Sequence, residues 1–175
     1  KAVAEVLVDA TTCGYPTAQE RYIHDGETTK AGILAALDDL AGKEIHVRES
    51  SSYYESLQQL NARFKKSDKA PLKIVLADEL LEDEDLLEMM NAGLIPMIVI
   101  DSHKGEFWAK VFKDLSLHPN IKVRTGGQIA WAIRKNSPQL KSVVNRFIEA
   151  HKKGTLKGNI LYKRYLQNTK WVRNA

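Results

Sequence analysis

Cysteine is nearly absent. Cys13 is the only one in 175 residues, which excludes an internal disulfide framework and leaves the redox compartment open. No flanking pattern activates its thiol. Long hydrophobic runs are missing as well: nothing approaches the roughly 18 apolar residues of a membrane-spanning helix. The five histidines, His24, His46, His103, His118 and His151, are scattered without the spacing of metal ligands, so neither a metal nor a cofactor is expected. Acid is scarce at one end, where residues 135–175 hold ten Lys or Arg and one acid, Glu149. Base is absent from Asp78 to Glu88, which holds seven acids, so the net charge of +4 conceals a polar division. Solvated helix faces explain both stretches most simply. The basic tail also suits an anionic envelope surface, a polymer or lipid headgroups. Nucleic acid is not an expected partner, because Tyr162, Tyr165 and Trp171 stand outside any recognised binding signature. The chain opens on Lys1 without a signal-peptide pattern, as a processed or excised piece would.

What is present alternates. Residues 1–8 read as a buried strand, and residues 9–30 as a long polar loop with a helical turn near Ala18 to Tyr22. A helix is expected over 31–41, stopped by Gly42, then a strand over 44–48 and a helix over 52–65. Pro71 introduces a strand over 72–77. The helix over 82–92 carries acids in its first turn, where the helix dipole favours them, and Gly93 is its natural stop. Residues 96–101 are almost wholly apolar, as in a strand covered on both faces. A helix capped by Ser102 follows, then strands over 121–124 and 129–134 around Gly126-Gly127. Ser137-Pro138 opens a helix, and after Gly154 a last one runs over 155–166. Trp108 and Trp131 are expected in the core. Strands alternating with helices indicate an α/β domain with a largely parallel sheet.

The chemistry concentrates in residues 44–57. The strand of Ile45 and Val47 runs into Ser50, Ser51 and Ser52, which open a helix with Tyr53, Leu57, Leu60 and Phe64 on one face. Hydroxyls and unpaired N–H groups at a helix N-terminus receive anions well, and Arg48 stands just before the turn. Plain helix capping needs only one of the serines. Three hydroxyls and an arginine at the carboxyl end of a strand, where α/β ligand sites form, go further. Asp101 ends the apolar strand and would either cap the next helix or accept from a cationic group. Asp78 and Glu79 read as an exposed acidic loop at the rim.

The order of these motifs resembles the second lobe of type II periplasmic solute-binding proteins. The resemblance lies in Leu37-Asp-Asp-Leu-Ala-Gly-Lys43 with the strand-serine-helix unit, Asn91-Ala-Gly-Leu-Ile-Pro-Met-Ile-Val-Ile-Asp-Ser102, and Ile129-Ala-Trp-Ala-Ile-Arg-Lys-Asn-Ser-Pro-Gln-Leu140. Three further stretches are similar to the solute-binding-like regulatory module of lytic murein transglycosylase F-type proteins. They are Ser50-Ser-Ser-Tyr-Tyr-Glu-Ser-Leu57, Glu82-Asp-Glu-Asp-Leu-Leu-Glu-Met-Met-Asn-Ala-Gly-Leu94 and Gly154-Thr-Leu-Lys-Gly-Asn. Asn168 to Ala175 resembles the junction where a catalytic domain would begin.

The resemblance implies a periplasmic-binding-protein-like α/β lobe, with a mainly parallel sheet flanked by helices and the first lobe absent. Residues 1–36 would be a hinge strand and irregular linker, 37–134 the lobe, and 135–175 basic helices leading to a downstream domain. Arg48, Ser50, Ser51, Ser52 and Tyr53 would hold the anionic side of an amphoteric ligand, an amino acid or muropeptide, and Asp101 its ammonium group. The expected function is non-catalytic ligand binding that regulates an attached murein lytic transglycosylase in the periplasm, close to the outer membrane. The alternative is the solute receptor of an amino-acid ABC transporter. Glu55-Ser56 mimics the catalytic pair of lytic transglycosylases, but it lies in the solute-binding-like unit, and Glu55 is expected to be a surface residue.

Overall fold

A computed structural model of the chain describes residues 5–6, 21–25, 36–125, 131–170 and 172. In chain order the strands are β1 (Glu5–Val6), β2 (Arg21–Asp25), β3 (Glu44–Val47), β4 (Lys73–Leu76), β5 (Met97–Asp101), β6 (Ser116–His118) and β7 (Ala132–Ile133). The helices are α1 (Ser52–Lys66), α2 (Asp83–Asn91), α3 (Ser102–Trp108), α4 (Pro138–His151) and α5 (Leu156–Tyr162). The described residues fall into two compact units, one within 20–125 and one combining residues from 1–19 and 126–173.

The first unit is a five-stranded sheet in the order β4-β3-β5-β2-β6. β3 pairs parallel with both β4 and β5, and His46 lies opposite Ile98. β2 runs antiparallel between β5 and β6. Helix α1 connects β3 to β4 on one side, and α2 carries the chain back past β3 to β5 on the other. A parallel sheet wound in both directions from one strand carries its helices on opposite faces.

The two cores follow that winding. On one face Tyr53, Leu57, Leu60 and Phe64 of α1 pack with Ile45, Val47, Met97, Val99 and Ile121. On the other, Leu86, Leu87 and Met90 of α2 pack with Ile95, Ile98 and Ile100. β5 thus feeds alternate side chains to two cores, which is why its sequence is apolar without a break. The end of α2 is a hydrogen-bonded stop: the Gly93 and Leu94 N–H groups donate to the Met90 and Met89 carbonyls, at 2.9 Å each. Gly93 takes φ +72°, the left-handed conformation this motif requires. At the sheet edge the Asn61 side chain clasps the backbone of Leu72, accepting from its N–H at 2.7 Å and donating to its carbonyl at 3.2 Å.

Several local expectations are corrected. Arg21–Asp25 is a strand within the stretch read as irregular linker, and no helical turn includes Tyr22. Its residues Arg-Tyr-Ile-His-Asp favour a strand once two neighbours are available for pairing. The Leu37–Leu40 segment is a single 3-10 turn, not the end of a long helix. The strand expected over 121–124 lies earlier, at Ser116–His118, where β2 supplies the hydrogen-bonding edge; Ile121 is buried without strand structure. Cys13, most of the first expected strand, residues 31–35 and Gly126-Gly127 lie outside the described residues.

In the second unit β1 pairs antiparallel with β7, and α4 buries Val144 and Ile148. Thr155 caps α5, its Oγ1 accepting from the Gly158 N–H at 3.1 Å. A Cβ at Gly158 would collide with the backbone of His151 and Lys152, so this corner needs glycine. Trp131 is 51% exposed, its ring centroid 6.0 Å from that of Phe147; it is not a core residue.

Candidate functional site

Because β3 and β5 are parallel neighbours, both carboxyl ends open on the same edge of the sheet. The winding reverses there, the place where open α/β sheets form ligand crevices. β3 ends at Val47 and β5 at Asp101, so the turn Arg48 to Ser51 and the start of α3 at Ser102 both follow strands that end at that edge.

Each serine has a different task. Ser51 is the N-cap of α1: its Oγ accepts from the Tyr54 N–H at 3.4 Å and donates to the Arg48 carbonyl at 2.9 Å. Ser52 opens the helix and its carbonyl accepts from the Ser56 hydroxyl at 3.0 Å. Tyr53 turns its ring into the core, so what it can present at the helix end is backbone. Ser50 stands outside the helix. Its N–H donates to Glu79 Oε1 at 3.0 Å, and its hydroxyl makes a short hydrogen bond to Glu79 Oε2. These two bonds, the hydroxyl's first, hold the Glu79 carboxyl below the ordinary carboxylate pKa, with the Arg48 charge adding to the effect.

Arg48 leads into an ion network. Its Nη2 donates to Asp83 Oδ1 at 3.0 Å, and Nη1 lies 3.5 Å from Glu82 Oε2. Lys104 Nζ reaches the other Asp83 oxygen at 2.7 Å. Asp83 is only 6% exposed, a buried carboxylate neutralised from both sides. Burial works against the charge on both cations, yet the Asp83 hydrogen bonds and charge more than offset it, so both pKa values are raised.

Asp101 stands at the N-cap of α3, but its side chain makes no capping bond. Its charge is felt by both neighbours on α3. His103 is pushed below its ordinary pKa chiefly by burial and also by Lys104, against the opposing pull of Asp101 and Glu106. The structure thus gathers Arg48, Ser50, Ser51, Ser52, the Tyr53 backbone and Asp101 at one end of one sheet. Glu79, which engages Ser50, was read as part of an exposed acidic loop at the rim, and Asp83 and Lys104, which form the ion network with Arg48, were not among the residues expected at the site. The acidic run Asp78–Glu88 was the signal for Glu79 and Asp83, and sequence alone does not say which of its acids turn inward; Lys104 lies outside that run. Glu55 is exposed on α1. Among the described residues, no group of three His, Cys, Asp or Glu side chains could hold a metal ion, and no helix is long and apolar enough to cross a membrane.

The fold has known counterparts. A binding component of an ABC transporter from Wolinella succinogenes, solved with lysine, superposes with a TM-score of 0.67 at 18% identity, covering 89% of this chain and 62% of its own. The substrate binding protein of an amino acid ABC transporter superposes with a TM-score of 0.63 at 16% identity, covering 86% and 61%. In sequence, the membrane-bound lytic murein transglycosylase F of Desulfosudis oleivorans is 30% identical over 127 residues, which is 72% of this chain. The chain spans 26% of that relative's length. No family model matches the chain. A mixed sheet flanked by helices, matching about three fifths of each solved structure, is the extent of one lobe with its C-terminal helices. The chain has the type II periplasmic solute-binding fold and is similar in sequence to the solute-binding-like region of a lytic murein transglycosylase F.

Proposed function

We propose that this chain is a non-catalytic ligand-sensing lobe that binds a small amphoteric molecule, an amino acid or a cell-wall peptide fragment, and regulates an attached murein lytic transglycosylase in the periplasm. The observation that carries the reading is the meeting of an anion-receptive turn (Arg48, Ser50 to Ser52 and the Tyr53 backbone) with a carboxylate, Asp101, at the reversal point of one sheet. Opposite charges at the carboxyl ends of two neighbouring parallel strands suit a zwitterion. The similarity to a transglycosylase F supports the link to murein, and structural counterparts that include a lysine complex support an amino-acid-like ligand. Ligand would act by stabilising a closed state of this lobe against a second one. Apolar side chains left exposed on α4, Leu140, Val143 and Phe147, support such a partner.

Amide shifts of the labelled chain, followed through titration with L-lysine, L-leucine and a murein tetrapeptide, test the binding claim. Arg48 to Tyr53 and Asp101 should move together; no movement at millimolar ligand would sink the half-site. Murein release by a protein that joins this lobe to its lytic domain, with and without the active compound, tests regulation. The second reading, a solute receptor of an amino-acid ABC transporter, is favoured by the transporter origin of the structural counterparts. Under it, binding would persist and murein release would not respond.

A further inference from the structure

The Ser50 turn is already holding a carboxylate, and that carboxylate belongs to the chain itself. Glu79 lies on the loop between β4 and α2, and both of its oxygens are engaged by one residue, the N–H on Oε1 and the hydroxyl on Oε2. We propose that Glu79 is an internal occupant of the position assigned above to the ligand's carboxylate, an autoinhibitory contact that the ligand must displace. The inference rests on that assignment.

The neighbouring acids show why Glu79, and not Asp83, is the exchangeable one. Asp83 is 6% exposed and bridges Arg48 and Lys104, so removing it would strand two cations. Glu79 is exposed, on a loop where Leu80 is 91% exposed. The local ties of that loop are a turn from the Leu81 N–H to the Asp78 carbonyl and a bond from the Leu80 N–H to the Asp78 side chain. Swinging Glu79 into water disturbs neither core. Arg48 adds to the hold on Glu79 through its field, while its own hydrogen bond goes to Asp83. The site therefore has a fixed anion that orients its cations and a removable one that fills its receptive turn.

Competition of this kind lowers apparent affinity by the fraction of molecules in which the turn is open. For an exposed contact the factor is modest, so Glu79→Ala should bind ligand ~3–10-fold more tightly. Ser50→Ala, which loses the hydroxyl from both partnerships, should bind more weakly than Glu79→Ala.

The test has two arms, both on the full chain. Without ligand, the Ser50 amide shift is followed through an acid titration of the wild type and of Glu79→Gln. A Ser50 shift that follows a low-titrating carboxyl in the wild type and is flat in Glu79→Gln supports the contact. A shift unchanged by the substitution overturns it, whatever the ligand does. In the second arm wild type and Glu79→Ala are titrated with L-lysine. Tighter binding by the variant supports displacement; equal or weaker binding overturns it while leaving the binding site intact. If Arg48 to Tyr53 and Asp101 stay still in both proteins, the reading of the site fails and autoinhibition fails with it, although the first arm still decides whether the Glu79 contact forms.

Discussion

The unit built on β3, β4 and β5 packs helices on both faces of its sheet, whereas α4 buries a narrow stripe, Val144 and Ile148, and α5 buries Gly158 alone. In α1, Leu57, Leu60 and Phe64 are at most 3% exposed. In α4, at comparable helical spacing, Val144 and Ile148 are buried, yet Leu140, Val143 and Phe147 remain about half exposed, at 47%, 54% and 48%. Both helices are amphipathic in sequence, so periodicity does not separate them. The difference is that α1 has a sheet beneath it and α4 offers more apolar surface than its own unit covers. The first unit covers the apolar faces of α1 and α2 with its own sheet; the second carries a surface suited to further contact.

The strongest challenge to this contrast is truncation at matched positions. Leu57→Ala, fully buried, should cost about 3–4 kcal/mol by urea denaturation, and Val143→Ala less than about 1 kcal/mol. Equal costs would mean that α4 is as well packed as α1 and the contrast is false. Next in size is Asp83→Asn, which leaves two cations with a neutral partner. Losing one member of a fully buried pair costs about 3–5 kcal/mol. Arg48 and Lys104 side chains are 17% and 33% exposed, so water recovers part of that, and about 2 kcal/mol is expected. A negligible cost would place the network at the surface.

The parallel strands β3, β4 and β5 and the helices α1 and α2 were legible in the sequence because each local signal agreed with its neighbours. The apolar run 96–101 announced a strand covered on both faces, Gly93 announced a stop, and the α1 spacing matched one face. β2 was not legible: Arg21–Asp25 depends on pairing with β5 and β6, distant in sequence, and propensity alone is weak for such strands. Of the candidate site, residues with local signatures could be read, Arg48 and the serines by their place before a helix and Asp101 by its place after a strand. Their partners could not. The Ser50 to Glu79 and Arg48 to Asp83 contacts span 29 and 35 residues, and which acids of a run of seven face inward is decided by the crossing of α2 over the sheet. Trp131 misled for the opposite reason: a large aromatic suggests a core, and this one lies where its unit's packing ends.

A smaller effect sharpens the contrast through pH. Burial, aided by Lys104, keeps the folded-state pKa of His103 below the unfolded value of about 6.5. The unfolded chain therefore takes up the proton first. This contribution to stability is fully present above about pH 6.5 and is lost as pH falls toward the folded value. Denaturation midpoints of the wild type should fall between pH 7 and pH 5, and His103→Gln should flatten that slope. A slope that survives the substitution would remove His103 as its source.

Glu55 should give the smallest effect, and the most pointed one. It is exposed in the first turn of α1, where the dipole favours an acid, and its Oε1 lies 3.5 Å from the Gln59 amide nitrogen. Together these contribute roughly 0.5 kcal/mol, so Glu55→Ala should shift the urea midpoint only slightly. The residue lies on the same helix as Ser52 and Tyr53, so a structural effect on the site would also appear as altered amide shifts at Arg48 to Tyr53 in the free chain. Unchanged shifts and an unchanged response to L-lysine would leave Glu55 outside the site, its likeness to a catalytic pair a coincidence of sequence. Loss of the response with the free-state shifts intact would instead bring Glu55 into direct contact with ligand and extend the site one turn along α1.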